Sequence, residues 1–276
     1  GVRSRTSSSS PGISLMQEAI SYIAGAELPA VIVNIMRAGP GLGNIWPAQS
    51  DYFQATKCGH GDYHCIVLAP SSVQEAYELT MRAFDLADTY RIPVIILGDA
   101  MLGQMMEPLM VTGHRLQVTG QKHATCDLRL ATKKWAATGC KGRKPNVVKS
   151  FFMNLGELEQ CNLKLQEKYK EIKAHEQRQE NFYVDDAQVI LVAYGTMARL
   201  AKEAKITLRN RGLKVGVLRP ISVWPFPNDV VNKLLSSHRK LQAFLAVEMS
   251  YGQMVEDVRL AVNGRVAVEF LGRSGG

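Results

Sequence analysis

Short, continuous apolar runs alternate with amphipathic stretches along much of the chain. This pattern predicts strands that are buried on both faces of a parallel sheet and covered by helices. In the first part of the sequence the predicted strands are 30–36, 65–69 and 94–97, and the predicted helices are 13–26 and 71–89. Residues 7–10 are serines followed by Pro11, and they predict a loop leading into a helix, because serine caps helices and proline suits the first turn.

The last part of the sequence has the same alternation. Its predicted strands are 189–193, 214–218, 243–247 and 266–270, and its predicted helices are 198–211, 227–236 and 253–262. The middle section is less regular, and residues 154–179, with leucines at loosely helical spacing, predict one long amphipathic helix. The fold class is therefore α/β, with two parallel-sheet units. We divide the chain into a first domain (1–115), a basic linker with the amphipathic helix (116–185) and a second domain (186–276).

Composition excludes several classes of protein. The 276 residues are 46% hydrophobic and 21% charged, which is typical of a soluble globular chain. No apolar run reaches the ~18 residues of a membrane span, and residues 1–10 lack the apolar core of a secretory signal. The five cysteines are odd in number and include no C-x-x-C pair, which argues against disulfides, structural zinc or an iron–sulfur cluster within this chain. A reducing, cytoplasmic setting is expected.

The net charge of +8 is concentrated between residues 122 and 149, which include Lys133-Lys134 and Lys141-Gly142-Arg143-Lys144. Such a stretch raises the possibility of nucleic-acid binding. However, Trp135 is its one ring suited to base stacking, and it carries no nucleic-acid motif. A solvated basic linker is the favoured interpretation, and contact with an acidic partner or a phosphorylated cofactor stays open.

The segment with the strongest chemical signal is 37–44, Arg-Ala-Gly-Pro-Gly-Leu-Gly-Asn, which directly follows the predicted strand 30–36. Glycines let a backbone approach a ligand closely, and a guanidinium offers a bidentate fork to a carboxylate or phosphate. Arg37 is therefore a candidate anion ligand. The glycine spacing is not that of a dinucleotide fingerprint, and a structural ion pair of Arg37 in a tight loop is an equal alternative.

Three other polar groups stand out in the sequence, and the first two favour structural interpretations. Gly98-Asp99-Ala100 resembles part of a thiamine–metal motif but has alanine where that motif has its second glycine, so no metal site is assigned. His60, Asp62 and His64 could serve in acid–base or metal chemistry, yet a hydrogen-bonded turn is favoured. Glu248 follows a predicted strand at the sheet edge where ligands and interfaces gather in α/β folds.

Taken together, these segments resemble the alpha subunit of the 2-oxoacid:ferredoxin oxidoreductases. The segments that carry the resemblance are 6–18, 37–44, 60–62, 71–75, 93–99 and 248–259, in this order and over nearly the whole chain. The Gly-Pro-Gly-Leu-Gly-Asn form of the loop and residues 98–108 are most similar to the branched-chain type, which acts on 3-methyl-2-oxobutanoate (2-oxoisovalerate).

The resemblance implies an architecture and a set of cofactors. The first domain would be a partial thiamine pyrimidine-binding-like domain, and the last a transketolase C-terminal-like domain. The family decarboxylates a 2-oxoacid on thiamine diphosphate, transfers the acyl group to coenzyme A and passes electrons to ferredoxin. Thiamine diphosphate would be shared with a beta subunit that carries its Mg²⁺-binding domain. A gamma subunit and a ferredoxin-like subunit with the iron–sulfur clusters would complete the complex, with no nucleic-acid or membrane partner.

The resemblance also assigns site residues. Arg37 matches the arginine that binds the substrate carboxylate, and Asn44, at the end of the same motif, is predicted as a second substrate-binding residue. The family's activating Glu, which protonates the thiamine ring nitrogen, and a threonine near the keto group are expected upstream of residue 1, so no catalytic residue is assigned in the chain itself. Glu18 belongs to the matched helix and does not take that role. Truncation at both ends is expected, and the chain alone would be inactive.

Two alternatives stay open at this stage. The substrate could be 2-oxoglutarate, which requires a second cation in the pocket, or pyruvate, whereas a branched acid requires an apolar pocket. The chain could also be a non-catalytic module that retains only surfaces for subunit contact.

Overall fold

The computed structural model describes residues 2–111, 133–137 and 139–275. Its ten strands are β1 (Arg5–Ser8), β2 (Ala30–Met36), β3 (Ile66–Leu68), β4 (Pro93–Asp99), β5 (Gln179–Phe182), β6 (Val189–Val192), β7 (Val215–Pro220), β8 (Ser222–Trp224), β9 (Ala243–Glu248) and β10 (Ala267–Gly272). Its eight helices are α1 (Ser10–Gly25), α2 (Tyr52–Thr56), α3 (Val73–Tyr90), α4 (Ala100–Gln104), α5 (Glu157–His175), α6 (Gly195–Asn210), α7 (Asn228–Ser237) and α8 (Met254–Val262).

The strands form two five-stranded sheets. The first has the order β1-β2-β4-β3-β8 and the second the order β10-β9-β6-β7-β5. Four strands of each sheet are parallel, which confirms the predicted α/β class. The fully buried strands β3 and β4 are the continuous apolar runs seen in the sequence, because helices cover both of their faces.

Each sheet also carries one antiparallel edge strand that the sequence pattern did not predict. β5 pairs with β7 at the edge of the second sheet, although it lies in the segment expected to be linker. β8 pairs with β3 at the edge of the first sheet, although it directly follows a strand of the second. The two sheets are thus joined by strand pairing as well as by packing.

Three local expectations need correction. Arg5–Ser8 is a parallel edge strand, although serines 7–10 were expected to form a loop; its side chains are mostly exposed, and so it lacks an apolar signal. α1 begins at Ser10, earlier than expected. α5 ends at His175 and begins at Glu157, so the long helix is shorter at both ends than the predicted 154–179.

Other expectations hold. β2 has the predicted bounds, and Ser72 caps α3 by accepting a hydrogen bond from Glu75 N at 3.1 Å. Cys126 and the first part of the basic stretch, residues 122–132, lie outside the described residues. Among the helices that the structure describes, none is long and apolar enough to cross a membrane.

Candidate substrate-carboxylate site

The site lies at the edge of the first sheet where its parallel strands end. β1 and β2 pair in parallel with Ser8 opposite Asn34, so the residues that follow the two strands meet at the same edge. Ser9 and Ser10 follow β1, and Arg37 follows β2. The serine-rich segment and the arginine, which are far apart in sequence, therefore become neighbours.

The Arg37 guanidinium is held on two of its three nitrogens. Nε donates to Ser9 Oγ at 3.2 Å. Nη1 donates to the main-chain oxygens of Leu42 and Asn44, the latter at 3.3 Å. Among the described residues no acceptor contacts Nη2. No carboxylate of the described chain forms an ion pair with Arg37, so the alternative of a structural salt bridge gains no support there.

The two main-chain oxygens that accept from Nη1 belong to a closed loop, residues 38–46, which we call the arginine loop. A bridge between Arg37 and Pro47 closes its base, and Ala38 N donates to Trp46 O at 3.0 Å. Gly43 has a φ of +56°, and a Cβ there would lie 1.7 Å from Ala38 O. A side chain at position 43 is thus excluded both by the backbone conformation and by the close approach.

Both polar atoms of the Asn44 side-chain amide form hydrogen bonds. Its Oδ1 accepts from Trp46 N at 2.9 Å, and its Nδ2 donates to Gly275 O at 3.0 Å. The contact with Arg37 is made by the main-chain oxygen. The predicted role of Asn44 as a direct substrate ligand stays a prediction, and the contacts seen here make it a residue that shapes the loop.

Beneath Arg37 lies a buried carboxyl group, Asp51, which is 9% exposed. Its Oδ2 accepts from Ser10 Oγ at 2.6 Å and from Asn34 Nδ2 at 3.1 Å. Burial raises the pKa of Asp51, although the hydrogen bonds from Ser10 and Asn34 and the positive charge of Arg37 act in the opposite direction. Ser10 Oγ also accepts from Arg37 N at 3.2 Å, so one hydroxyl connects the carboxyl group to the arginine.

The outer surface of the arginine loop is apolar. Leu42, Ile45 and Trp46 are 82%, 71% and 59% exposed, although Leu42 O accepts directly from the guanidinium. Residues 38–46 contain no charged side chain. The loop that holds the Arg37 guanidinium therefore presents apolar side chains to the solvent.

The other polar groups singled out in the sequence lie apart from Arg37 or serve as helix caps. Asp99 Oδ1 accepts from Met101 N and Leu102 N and so caps α4. Glu248 is buried and accepts from the main-chain nitrogens at the start of α8. His60 lies in a turn bonded to Ser21, and the His64 ring stacks on Trp224 with centroids 4.6 Å apart. Among the described residues, no cluster of three or more His, Cys, Asp or Glu could hold a metal ion.

Part of the described basic stretch contacts the rest of the protein, whereas Lys134, Lys141, Arg143 and Lys144 are exposed. Lys133 pairs with Asp88, and the charged groups of Lys133 and Arg91 lie 5.3 and 4.9 Å from the centroid of the Trp135 ring. Lys149 pairs with Glu157 at 3.3 Å. The ring that could have stacked on a base is therefore occupied by cations of the same chain.

Arg37 was a candidate from the sequence, whereas the residues that hold its side chain were not. Ser9 and Ser10 were expected only to cap a helix, and Asp51 carried no motif at all. The one usable signal was the position of the serines after a segment that turns out to be a strand parallel to β2. The link to Asp51 depends on the tertiary fold.

Comparison with known proteins agrees with this architecture. A family model described as "Pyruvate flavodoxin/ferredoxin oxidoreductase, thiamine diP-binding" matches residues 1–177. A second, "Pyruvate:ferredoxin oxidoreductase core domain II", matches residues 187–276. Together they cover nearly the whole chain.

Among curated relatives, the ketoisovalerate oxidoreductase subunit VorB of Methanothermobacter thermautotrophicus is 50% identical over the whole chain, which spans 74% of that protein. The 2-oxoglutarate synthase subunit KorA of Methanothermobacter marburgensis is 33% identical, again over the whole chain and 77% of the relative. The higher identity is with the branched-chain type, as the sequence resemblance indicated.

Two solved structures share the fold. The 2-oxoglutarate:ferredoxin oxidoreductase from Magnetococcus marinus superposes with a TM-score of 0.77 and 24% identity, covering 100% of this chain and 51% of that one. A split-gene transketolase gives a TM-score of 0.53 at 14% identity, with 97% and 66% coverage. From the two family models and the curated relatives, the chain belongs to the 2-oxoacid:ferredoxin oxidoreductase family, as one of its subunits.

Proposed function

We propose that this chain binds the carboxylate of a branched 2-oxoacid, 3-methyl-2-oxobutanoate, in a thiamine diphosphate-dependent 2-oxoacid:ferredoxin oxidoreductase. The overall reaction converts the 2-oxoacid and coenzyme A to acyl-CoA, CO₂ and a proton, and two electrons pass to ferredoxin. The observation that carries the proposal is the Arg37 guanidinium, whose Nε and Nη1 are held by the chain while Nη2 has no acceptor among the described residues.

The task of Arg37 is to position the acid. Charge-assisted hydrogen bonds from Nη2, whose N–H groups have no acceptor among the described residues, fix the place of the carboxylate. The charge of that carboxylate is lost as CO₂ leaves, so an ion pair that is stronger in the ground state would by itself slow the step. Leu42, Ile45 and Trp46 are the apolar side chains of this loop that would contact the branched side chain, and this binding would offset that cost.

The donors at this sheet edge fit the substrate acid better than the cofactor. Thiamine diphosphate, when bound, supplies the carbanion that attacks the keto carbon, and its ring nitrogen needs a free carboxyl group. The two carboxyl groups near this edge, Asp51 and Asp99, are buried and already bonded within the chain. The described residues therefore do not hold the cofactor by themselves, and we assign no reaction step to them through it.

These contacts of Asp51 and Asp99 support an active site that this chain shares with another subunit. We place the Mg²⁺-diphosphate domain on a beta subunit and the iron–sulfur clusters on a ferredoxin-like subunit, with a gamma subunit completing the complex. The names of the relatives as subunits support that division. The domain bounds 1–115, 116–185 and 186–276 belong to the same proposal.

2-Oxoglutarate is the second candidate substrate, because relatives named as 2-oxoglutarate synthase subunits are about one third identical to this chain. Its second carboxylate would need a second cation. The arginine loop offers none, and its exposed side chains are apolar. The geometry thus favours the branched acid, which has no second charge.

The test is a turnover assay of the full complex. The subunit would be co-expressed with its partner subunits, and viologen reduction would be measured with coenzyme A and 3-methyl-2-oxobutanoate, 2-oxoglutarate or pyruvate. We expect the highest kcat/KM for the branched acid. Arg37→Ala should lower kcat/KM by about 100-fold, as expected for the loss of charge-assisted hydrogen bonds to the carboxylate.

Arg259→Ala is the matched control, because Arg259 is exposed on α8 and lies outside the proposed site. Turnover with none of the three acids in an assembled complex would support the non-catalytic interaction module instead. Unchanged kinetics in Arg37→Ala would remove the carboxylate assignment while leaving the family assignment intact.

A further inference from the structure

Two helices near Arg37 begin with good capping residues whose side chains do not cap. Ser9 is the N-cap of α1 and Asp51 is the N-cap of α2, and neither makes a side-chain capping bond. Serine and aspartate at these positions ordinarily accept from the second or third main-chain nitrogen of the helix. Here the Ser9 hydroxyl accepts from Arg37 Nε, and the Asp51 carboxyl accepts from Ser10 and Asn34. Both side chains are directed to one cluster instead.

In this cluster the hydrogen bonds connect Asp51 to Ser10, and Ser10 to the main chain of Arg37. Ser10 Oγ has one hydrogen, and the 2.6 Å distance to Asp51 Oδ2 identifies that oxygen as its main acceptor, since its other acceptor, Arg37 O, is 3.3 Å away. The same oxygen atom of Ser10 receives the hydrogen bond from Arg37 N. Asp51 therefore fixes the rotamer of Ser10, and Ser10 fixes the main chain from which the Arg37 side chain extends.

Asp51 is itself held by the second half of the molecule. On one side, Gln49 bonds to Tyr194 and Met249. On the other, Tyr52 Oη donates to Asp257 Oδ2 at 2.6 Å. The carboxyl group thus sits on a segment anchored at both ends to the second sheet and its helices, while its own contacts are with the first sheet.

We propose that Asp51 is a positioning residue for Arg37, acting through Ser10, so that the guanidinium presents Nη2 to the carboxylate of the 2-oxoacid. The inference rests on the proposed function and deepens it. Asp51 touches neither the substrate nor the cofactor. Its contribution is to fix the arginine in one orientation, so that binding the acid does not require ordering a long, flexible side chain.

The experiment uses the assembled enzyme with Ser10→Ala, Asp51→Ala and Asp51→Asn. Ser10→Ala and Asp51→Ala should each raise KM for the 2-oxoacid by about tenfold with a much smaller change in kcat, as expected when a hydrogen bond that organises ground-state binding is lost. The double Ala variant should be no worse than the single ones, because the two residues act in series.

Asp51→Asn separates positioning from charge. The amide oxygen can still accept from Ser10, and the amide nitrogen can donate to Asn34 Oδ1, which has no partner in the described structure. We expect KM to return to within about twofold of the wild-type value, since the hydrogen-bond geometry is kept. Ser71→Ala is the matched control, because Ser71 also donates to a partly buried carboxylate, Glu75, at 3.0 Å but at the end of a different strand.

A second readout does not depend on turnover. We expect an arginine-specific dicarbonyl reagent to modify Arg37 in the complex and the 2-oxoacid to protect it. Peptide mass spectrometry would measure both. Half-protection should need about ten times more 2-oxoacid in Ser10→Ala than in the wild type, in step with KM. The proposal would be overturned if both Ala variants kept the wild-type KM and the wild-type protection by the 2-oxoacid. It would also be overturned if Ser71→Ala raised KM and weakened the protection to the same extent.

The failure of the two proposals can be told apart. A wild-type complex that neither turns over nor is protected by any 2-oxoacid contradicts the proposed function and, with it, this inference. An active wild type whose Asp51 and Ser10 variants lose only thermal stability contradicts the positioning role alone.

Discussion

Gln49 and Met249 exchange two hydrogen bonds between the two halves of the molecule. Gln49 N donates to Met249 O at 2.7 Å, and Met249 N donates to Gln49 Oε1 at 3.0 Å. The Gln49 side chain is completely buried, and its Nε2 donates to Tyr194 O at 3.0 Å. One side chain therefore satisfies main-chain groups that follow two different strands of the second sheet.

Replacing Gln49 by Ala should leave the partly buried Met249 N–H without a partner. It should also remove one of the two hydrogen bonds to Tyr194 O, which keeps the bond from Ala198 N at 3.3 Å. We expect the free energy of unfolding to fall by about 1–3 kcal/mol, the cost of one unsatisfied group. Urea unfolding followed by circular dichroism measures it. Gln177→Ala is the control, since Gln177 also joins two segments through its amide but at an exposed site. A loss of unfolding free energy in Gln49→Ala that is no larger than the loss in Gln177→Ala would contradict the role of Gln49 in joining the two halves of the molecule.

Two glycines of the arginine loop should respond differently to alanine. Both have positive φ, but a Cβ at Gly41 meets nothing within 4 Å, whereas one at Gly43 collides with Ala38 O. Gly41→Ala should cost about 1–2 kcal/mol through its backbone conformation alone. Gly43→Ala should in addition displace the Leu42 and Asn44 oxygens that hold Arg37. KM for the 2-oxoacid should therefore rise in Gly43→Ala and stay close to wild type in Gly41→Ala, and equal KM values would contradict this.

His64 should make the protein sensitive to mild acid. Burial, together with the nearby Lys173 and Lys57, lowers the pKa of His64 to about 4, below its ordinary value of about 6.5. The folded state therefore favours the neutral ring, and stability that is fully present above pH 6.5 is lost as the pH falls toward 4. At pH 5 the loss should be about 1 kcal/mol after allowing for solvent screening of a partly exposed ring.

The measurement is the difference in unfolding free energy between pH 7 and pH 5. His64→Phe, which keeps a ring to stack on Trp224, should reduce that difference by about the same 1 kcal/mol. His175→Phe, at the exposed end of α5, is the control. An unchanged pH dependence in His64→Phe would show that another group carries the acid sensitivity.

Arg219 should be one of the residues most costly to remove. It is 1% exposed and pairs with Glu75 of α3 and Glu180 of β5, the latter at 2.9 Å. Although burial acts to raise the pKa of Glu75, the bonds from Arg219 and Ser71 outweigh it and hold the pKa below its ordinary value. Arg219→Ala should lower the free energy of unfolding by about 3 kcal/mol, because it removes a buried side chain and leaves the partly buried Glu75 carboxylate with only its bonds from Ser71. Glu180 keeps its pair with Lys202.

Arg209→Ala provides the comparison for Arg219. Arg209 pairs with Asp186 near the surface, where such pairs are worth about 1 kcal/mol or less. Both substitutions remove an arginine of the second half of the molecule, so the difference between them isolates the effect of burial. Similar losses for the two variants in urea unfolding would contradict the buried-pair interpretation.

The elements that the sequence predicted well are those with a strong apolar signal. β2 and β4 are nearly continuous runs of Val and Ile, and α3 begins with a serine cap and an acidic first turn. The elements that were missed are polar or short. β1 is Arg-Thr-Ser-Ser and β5 is Gln-Glu-Asn-Phe; both lie at sheet edges, where one face needs no apolar side chain, so pairing alone decides their conformation.

The candidate site was predictable to a similar degree. Arg37 could be proposed because an arginine after a buried strand and before glycines is a common way to build an anion site, and the family resemblance favoured that interpretation over a structural ion pair. Asp51 could not, because its pairing with Ser10 spans 41 residues and depends on the register of β1 against β2. Serine before a helix also has a default explanation as a cap, and that explanation concealed the contact of Ser9 with Arg37.

A single residue, Ile221, separates β7 of the second sheet from β8 of the first. A chimera that exchanged residues 187–276 for those of a relative would therefore replace a strand of the remaining half as well. Whether such a hybrid folds would depend on how well the incoming counterpart of Trp224 pairs with Val67, not only on the junction. The pairing of β8 with β3 thus constrains recombination between family members, in addition to the position at which the exchanged segment begins.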